Sequence, residues 1–267
     1  MKKFLLGENI TGEASCGHKG KSCEFYAIVK RGHEECGDSI AAYCNDRIVL
    51  AVFDGISGEA GAGHASSQAA KGILDYLKTR KATETTLRDA ILYANQQIRF
   101  GYTTAAIVSI EKDGSILLAG VGDSPIYSIS KGKTSLEIPL GRAVKKGDSI
   151  LKFFQFRNLV TSVMGPHDSE IELKIKTGRI SKGDIIILAS DGLTDNLYVK
   201  TKEGYVTDAT GTADLKELVG KTTKPQTIVK KLVKEIEKRI KKGKIQNKNR
   251  ILFPKTDDLT IIALRWL

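Results

Sequence analysis

The helices of this chain come in groups, and that grouping decides which folds are open to it. Strand-like apolar runs lie at residues 25–29, 39–44 and 48–53. Two helical patterns follow, one through Ala65, Ala69, Ile73 and Leu77, the other through Leu87, Ile91, Ala94 and Ile98. Further strand candidates at 104–110, 116–121, 126–129, 159–163, 171–175 and 185–189 come next with no helix between them. Two late helices, 215–219 and 227–241, precede a last apolar run at 259–264. A doubly wound parallel sheet needs a helix after nearly every strand, so this order argues against it. The expected fold is α+β, an antiparallel β-sandwich flanked by helices on both faces, giving four layers in the order α-β-β-α. No linker or shift of composition divides the chain, and residues 1–267 are read as a single domain. The polar stretch 243–255 is the best loop candidate.

The last helix starts after Pro225 and stops before Gly243, and Ile228, Val229, Leu232, Val233, Ile236 and Ile240 trace one stripe along it. Much of the +11 formal charge lies late in the chain, on this helix and just after it, in Lys230, Lys231, Lys234, Lys238, Arg239, Lys241, Lys242, Lys244, Lys248 and Arg250. Such a run either attracts an anionic partner or is the solvated face of an amphipathic helix. No aromatic residues are interleaved for base stacking, so a solvated face is expected and nucleic acid is not the expected partner. No apolar run approaches a membrane span. The start, Met1-Lys2-Lys3-Phe4-Leu5-Leu6-Gly7-Glu8, has too short an apolar core for a signal peptide, which points to a cytoplasmic protein. Cys16, Cys23, Cys36 and Cys44, with His18 and His33 among them, contain no Cys-x-x-Cys pair. Reduced thiols are expected there rather than a zinc site.

Two apolar runs end in the same dipeptide. Residues 48–53 lead into Asp54-Gly55, and 185–190 into Asp191-Gly192. Asp257-Asp258 opens the last run. A strand end is a rigid place for a carboxylate, and the adjoining glycine allows close backbone approach and leaves its carbonyl accessible as an oxygen ligand. One Asp-Gly alone is a turn signal. Several carboxylates at strand ends fit a hard divalent cation, Mg²⁺ or Mn²⁺ rather than zinc.

These motifs, in this order, resemble the metal-dependent serine/threonine protein phosphatases of the 2C type. The similarity covers nearly the whole chain. It is carried by Gly37-Asp38-Ser39, Val52-Phe53-Asp54-Gly55-Ile56-Ser57-Gly58, Gly101-Tyr102-Thr103-Thr104-Ala105 and Gly120-Val121-Gly122-Asp123-Ser124. It continues in Leu159-Val160-Thr161-Ser162-Val163-Met164-Gly165, in Gly183-Asp184 through Ala189-Ser190-Asp191-Gly192-Leu193-Thr194-Asp195, and in Thr256-Asp257-Asp258-Leu259-Thr260. The resemblance implies the same paired antiparallel sheets flanked by helices. It implies that Asp54 bridges two Mn²⁺ or Mg²⁺ ions, that the Gly55 carbonyl binds one of them, and that Asp191 and Asp257 hold the other. Asp257 is preferred to Asp258 because the family motif places the metal ligand first. Asp38 would orient metal-bound waters, and Asp123 with Asp191 would offer a third, weaker ion site. A hydroxide bridging the two ions would attack the phosphorus of a phosphoserine or phosphothreonine in a phosphoprotein, so Asp54, Asp191 and Asp38 carry the catalytic expectation.

The chain departs from the pattern where phosphate is gripped. His33 stands where the family usually has arginine, with Arg31 two residues earlier, and these are the substrate-binding candidates. Gly37 replaces a frequent Glu or Gln, Ile56 a frequent His, and Pro125 a common Arg. His64, later on, reads as a solvated residue at a helix start. The expectation is an active enzyme with altered phosphate binding; the alternative is a pseudophosphatase or regulatory binding module of the same fold.

Overall fold

The two main sheets are apolar on both faces, which is why their strands read as unbroken hydrophobic runs. The computed structural model describes residues 2–6, 13–20, 22–56, 61–166 and 171–267. Ser57 and Gly58, and Met1, Gly7 and Glu8 of the N-terminal stretch, lie outside the described residues.

In chain order the elements begin with β1 (Lys2–Leu6), β2 (Glu13–Lys19), β3 (Cys23–Lys30), β4 (Ser39–Cys44), β5 (Ile48–Phe53), α1 (Ala62–Leu77) and α2 (Glu84–Gln97). Then come β6 (Ala105–Ile110), β7 (Ser115–Val121), β8 (Ile126–Ser130), β9 (Lys133–Leu136), α3 (Ile150–Phe156), β10 (Lys174–Arg179), β11 (Ile185–Ala189) and α4 (Asp191–Thr194). The chain closes with β12 (Val199–Lys202), β13 (Tyr205–Asp208), α5 (Thr212–Val219), α6 (Pro225–Lys242), β14 (Ile245–Asn247), β15 (Arg250–Leu252) and β16 (Leu259–Trp266).

One sheet runs β1-β4-β5-β6-β7-β10 and the other β2-β3-β16-β11-β8-β9, with antiparallel pairing throughout. Side-chain alternation sorts each strand between two cores. In β5, Ile48, Leu50 and Val52 enter the layer between the sheets, while Val49, Ala51 and Phe53 pack with α1 and α2 residues such as Ala69, Ile73 and Leu87. In β11, Ile186 and Leu188 face inward, while Ile185, Ile187 and Ala189 pack with Leu215, Ile228 and Leu232 of α5 and α6. The result is the expected α-β-β-α sandwich. α2 is started by a capping box in which Thr83 and Thr86 satisfy each other's backbone N–H.

Some local expectations are corrected. Residues 159–163 form no strand, only an isolated bridge between Val160 and Arg142, because this segment crosses an irregular excursion beside the site. The strand expected at 171–175 begins instead at Lys174. The stretch read as a loop, 243–255, contains β14 and β15, which join a third sheet ordered β13-β12-β15-β14. Its strands are short and polar, so they carry little apolar signal. On α6 the lysines are exposed as expected, but Arg239 is buried. Its guanidinium donates to both oxygens of Asp214, at 2.6 and 2.9 Å, and so ties α6 to α5. No helix among the described residues is long and apolar enough to cross a membrane.

Candidate metal centre

Antiparallel register brings the acidic motifs to one end of the sandwich. In the first sheet Ser39 pairs with Phe53, and Ala105 with Val121. Asp38 before β4, Asp54 after β5 and Asp123 after β7 therefore leave the sheet along one edge. In the second sheet Ala189 pairs with Ile261, which places Asp191 after β11 beside Asp257 and Asp258 before β16. The two edges meet where the Asp191 N–H donates to Asp54 Oδ2 at 3.0 Å. Asp54 is fixed from behind, its carbonyl accepting from the Thr104 N–H at 2.8 Å and the Thr103 hydroxyl at 2.9 Å.

These carboxylates are held against their own repulsion. Desolvation raises the Asp54 carboxyl well above the usual range, and Asp191, Asp38 and Asp123 add like charge. Asp191 is likewise raised, by burial and then by Asp195, Asp123 and Asp257. Burial, with Asp258 next, pushes Asp38 up to about 7. Asp38 is buried, and its Oδ2 has no hydrogen-bond partner.

Asp257 and Asp258 divide their work. The Asp258 carboxylate accepts from the backbone N–H of Gly32 at 2.6 Å, His33 at 3.3 Å and Gly37 at 2.6 Å, so it anchors the loop that carries Asp38. Asp257 instead meets His33 Nε2 at 2.8 Å and the Lys255 ammonium. The glycines are needed for this closeness. A Cβ on Gly192 would lie 2.1 Å from the Asp258 carbonyl oxygen, and one on Gly32 would lie 2.0 Å from that of Asp257. Asp258→Ala is expected to cost about 2–3 kcal/mol, because three N–H groups lose a charged acceptor. Chemical denaturation measures it, and a loss below the error of the fit would remove the anchoring role.

Asp54, Asp123 and Asp191 line a cleft of about 250 Å³ together with His33, Ile56 and Lys255. Of the two phosphate-grip candidates, His33 is on its wall. Arg31 is exposed, and its guanidinium donates to the Glu34 carbonyl at 2.7 Å. His64 is not simply solvated: its ring stacks on Phe100 with centroids 4.0 Å apart, and its Nε2 is a buried atom without a partner.

Two cations here were not anticipated from the sequence. Arg142 donates through Nε to Asp123 Oδ2 at 2.7 Å and lies 3.0 Å from Asp195 Oδ1, with Arg157 on the far side of Asp195 at 3.6 Å. Lys255 Nζ touches Asp257 and stands 3.7 Å from Asp191 and 4.0 Å from Asp195. Arg142 lies in an irregular stretch with no motif of its own. Lys255 carried one usable signal, its place two residues before Asp257.

The donors suit a hard divalent cation. They are all oxygens, Asp38 Oδ2 is orphaned, and burial and neighbouring carboxylates hold the Asp54 and Asp191 carboxyls above their usual range. With Lys255 and Arg142 among them, no three His, Cys, Asp or Glu side chains of the described residues converge on one ion position as they stand. Cys23, Cys36 and Cys44 are free thiols.

A helix-flanked antiparallel sandwich with carboxylates along one edge is the arrangement that the resemblance to 2C-type phosphatases implied, and the comparisons agree. The sequence model of the protein phosphatase 2C family matches residues 30–237, and the chain belongs to that family. No curated protein sequence matches it significantly. Among solved structures, RsbX in complex with magnesium is similar at TM-score 0.64 and 16% identity, covering 95% of this chain and 100% of its own. The catalytic domain of the serine/threonine protein phosphatase PstP, in complex with two manganese ions, matches at TM-score 0.62 and 16% identity, covering 92% and 99%. The PPM Ser-Thr phosphatase MsPP from Mycobacterium smegmatis, in complex with cacodylate, matches at TM-score 0.60 and 18% identity, covering 97% and 99%.

Proposed function

We propose that this chain is a divalent-cation-dependent protein serine/threonine phosphatase, with residues 1–267 acting as one catalytic domain. The observation that carries the reading is the carboxylate edge where Asp54 and Asp191 meet across the two sheets. Magnesium in RsbX and two manganese ions in PstP support Mg²⁺ or Mn²⁺ as the cofactor.

Asp54 and the Gly55 carbonyl would hold one cation, and Asp54 would share a second with Asp191 and Asp257. Such cations acidify water for attack on phosphorus and offset charge on the phosphoryl oxygens. The chain's own residues do the positioning. Asp258 fixes the 32–37 loop, which carries Asp38 into electrostatic range of Asp54, where its carboxylate would orient metal-bound water. His33, hydrogen-bonded to Asp257 at the cleft wall, would meet the substrate phosphate, and Arg31 is the second candidate. Asp123, with Asp191, would offer a third, weaker cation site beside the Arg142 guanidinium, which donates to Asp123 Oδ2 at 2.7 Å. The substrate is a cytoplasmic phosphoprotein.

The test is phosphate release from a panel of phosphoserine, phosphothreonine and phosphotyrosine peptides, with Mn²⁺ and then with chelator. Metal-dependent release from the serine and threonine peptides is expected. Mn²⁺ binding with no turnover of any peptide would leave the fold as a binding module and overturn the enzymatic reading.

A further inference from the structure

Lys255 stands where the reading above needs a cation. Its ammonium contacts Asp257 and lies 3.7 Å from Asp191, the two carboxylates assigned to the second divalent ion, with Asp195 at 4.0 Å. This is a built position. The Asn196 side-chain amide clamps the Lys255 backbone, accepting from its N–H at 3.1 Å and donating to its carbonyl at 2.9 Å. The same amide donates to the Gly192 carbonyl at 2.9 Å, so the root of the lysine is locked to the turn that carries Asp191. Carboxylate oxygens that bind Mg²⁺ stand about 2.0–2.1 Å from the ion, which leaves no room for an ammonium on the same oxygens. The two positive charges would also repel at that distance.

We infer that Lys255 is an internal counter-ion that competes with a divalent cation for Asp191 and Asp257. The second cation binds by displacing the ammonium, and the site stays charge-paired without it. The lysine side chain is 26% exposed, against 6% for Asp257 and 14% for Asp191, so it has an open route into the cleft when displaced. The first cation, held by Asp54 and Gly55, meets no such competitor among the described side chains. The inference rests on the proposed ligand set, and its test separates the two.

Mn²⁺ titration calorimetry of the full chain is the experiment. Wild type is expected to bind one ion tightly and a second more weakly. In Lys255→Met the weak step should tighten by about fivefold, the upper scale of one broken, partly exposed ion pair. The metal-free variant should also melt lower than wild type, with the difference vanishing at saturating Mn²⁺. Lys255→Gln, which keeps the stem length and a polar tip, serves as the second variant, and circular dichroism checks the fold of both. A second step that is unchanged or weaker in a folded variant overturns the inference alone. Wild type that binds no Mn²⁺ overturns the ligand set and the inference with it.

Discussion

Asp54→Asn is expected to lower Mn²⁺-dependent phosphate release by about a thousandfold, while the metal-free protein melts no lower than wild type. The two halves have one cause. Asp54 is held among Asp191, Asp38 and Asp123, and desolvation penalises its charge further. The amide keeps the oxygen that accepts from the Asp191 N–H and removes the repulsion, so the resting fold loses nothing. What disappears is the charge that would hold the cations. The measurements are kcat/KM on a phosphoserine peptide and Tm in chelator. Retained activity would sink the ligand assignment. A markedly lower Tm in chelator would mean that the carboxylate supports the fold.

Arg142→Met is expected to have the opposite profile, destabilising the chain by about 3–5 kcal/mol, because it strands buried charge. Asp123 and Asp195 have side chains 1% and 0% exposed, and Arg142 is the cation that contacts both. Its guanidinium is held more firmly protonated than usual by Asp195 and Asp123, which outweigh the cost of its burial. Arg157 remains near Asp195 but has no ion pair with Asp123, so it recovers only part of the loss. Adding Asp123→Asn should restore some stability, since one stranded charge is removed. Denaturation midpoints of the single and double variants measure it, and a single variant as stable as wild type would show that the pair contributes nothing.

The sequence made some layers of this molecule legible and hid others for physical reasons. Continuous apolar strands and paired amphipathic helices carry a strong periodic signal, and the sandwich follows from it. The acidic residues were visible because Asp-Gly after an apolar run is a local pattern. The choice of Asp257 over Asp258 came from the family resemblance; the structure gives Asp258 three backbone donors and turns Asp257 toward His33 and Lys255. The third sheet was hidden because strands such as Val199–Lys202 and Tyr205–Asp208 are short and half polar. The cationic side of the site was hidden because ion pairs such as Arg142 with Asp123 leave no periodic trace. Arg239 was misread for the same reason: an arginine within a lysine run looks like its neighbours until Asp214 is placed against it.

The contact between Asp191 and Asp54 crosses from one sheet to the other. Asp38, Asp54 and Asp123 flank strands of the first sheet, and Asp191 and Asp257 flank strands of the second. Neither layer alone contains the proposed ligand set. The centre is thus a property of the seam, and it exists only while the apolar filling that includes Leu50 and Leu188 keeps the two layers at their proper separation. Cation binding would act on the molecule as a clasp at one end of that seam, adding to the packing and to the few hydrogen bonds, such as Asp191 N–H to Asp54, that join the two halves.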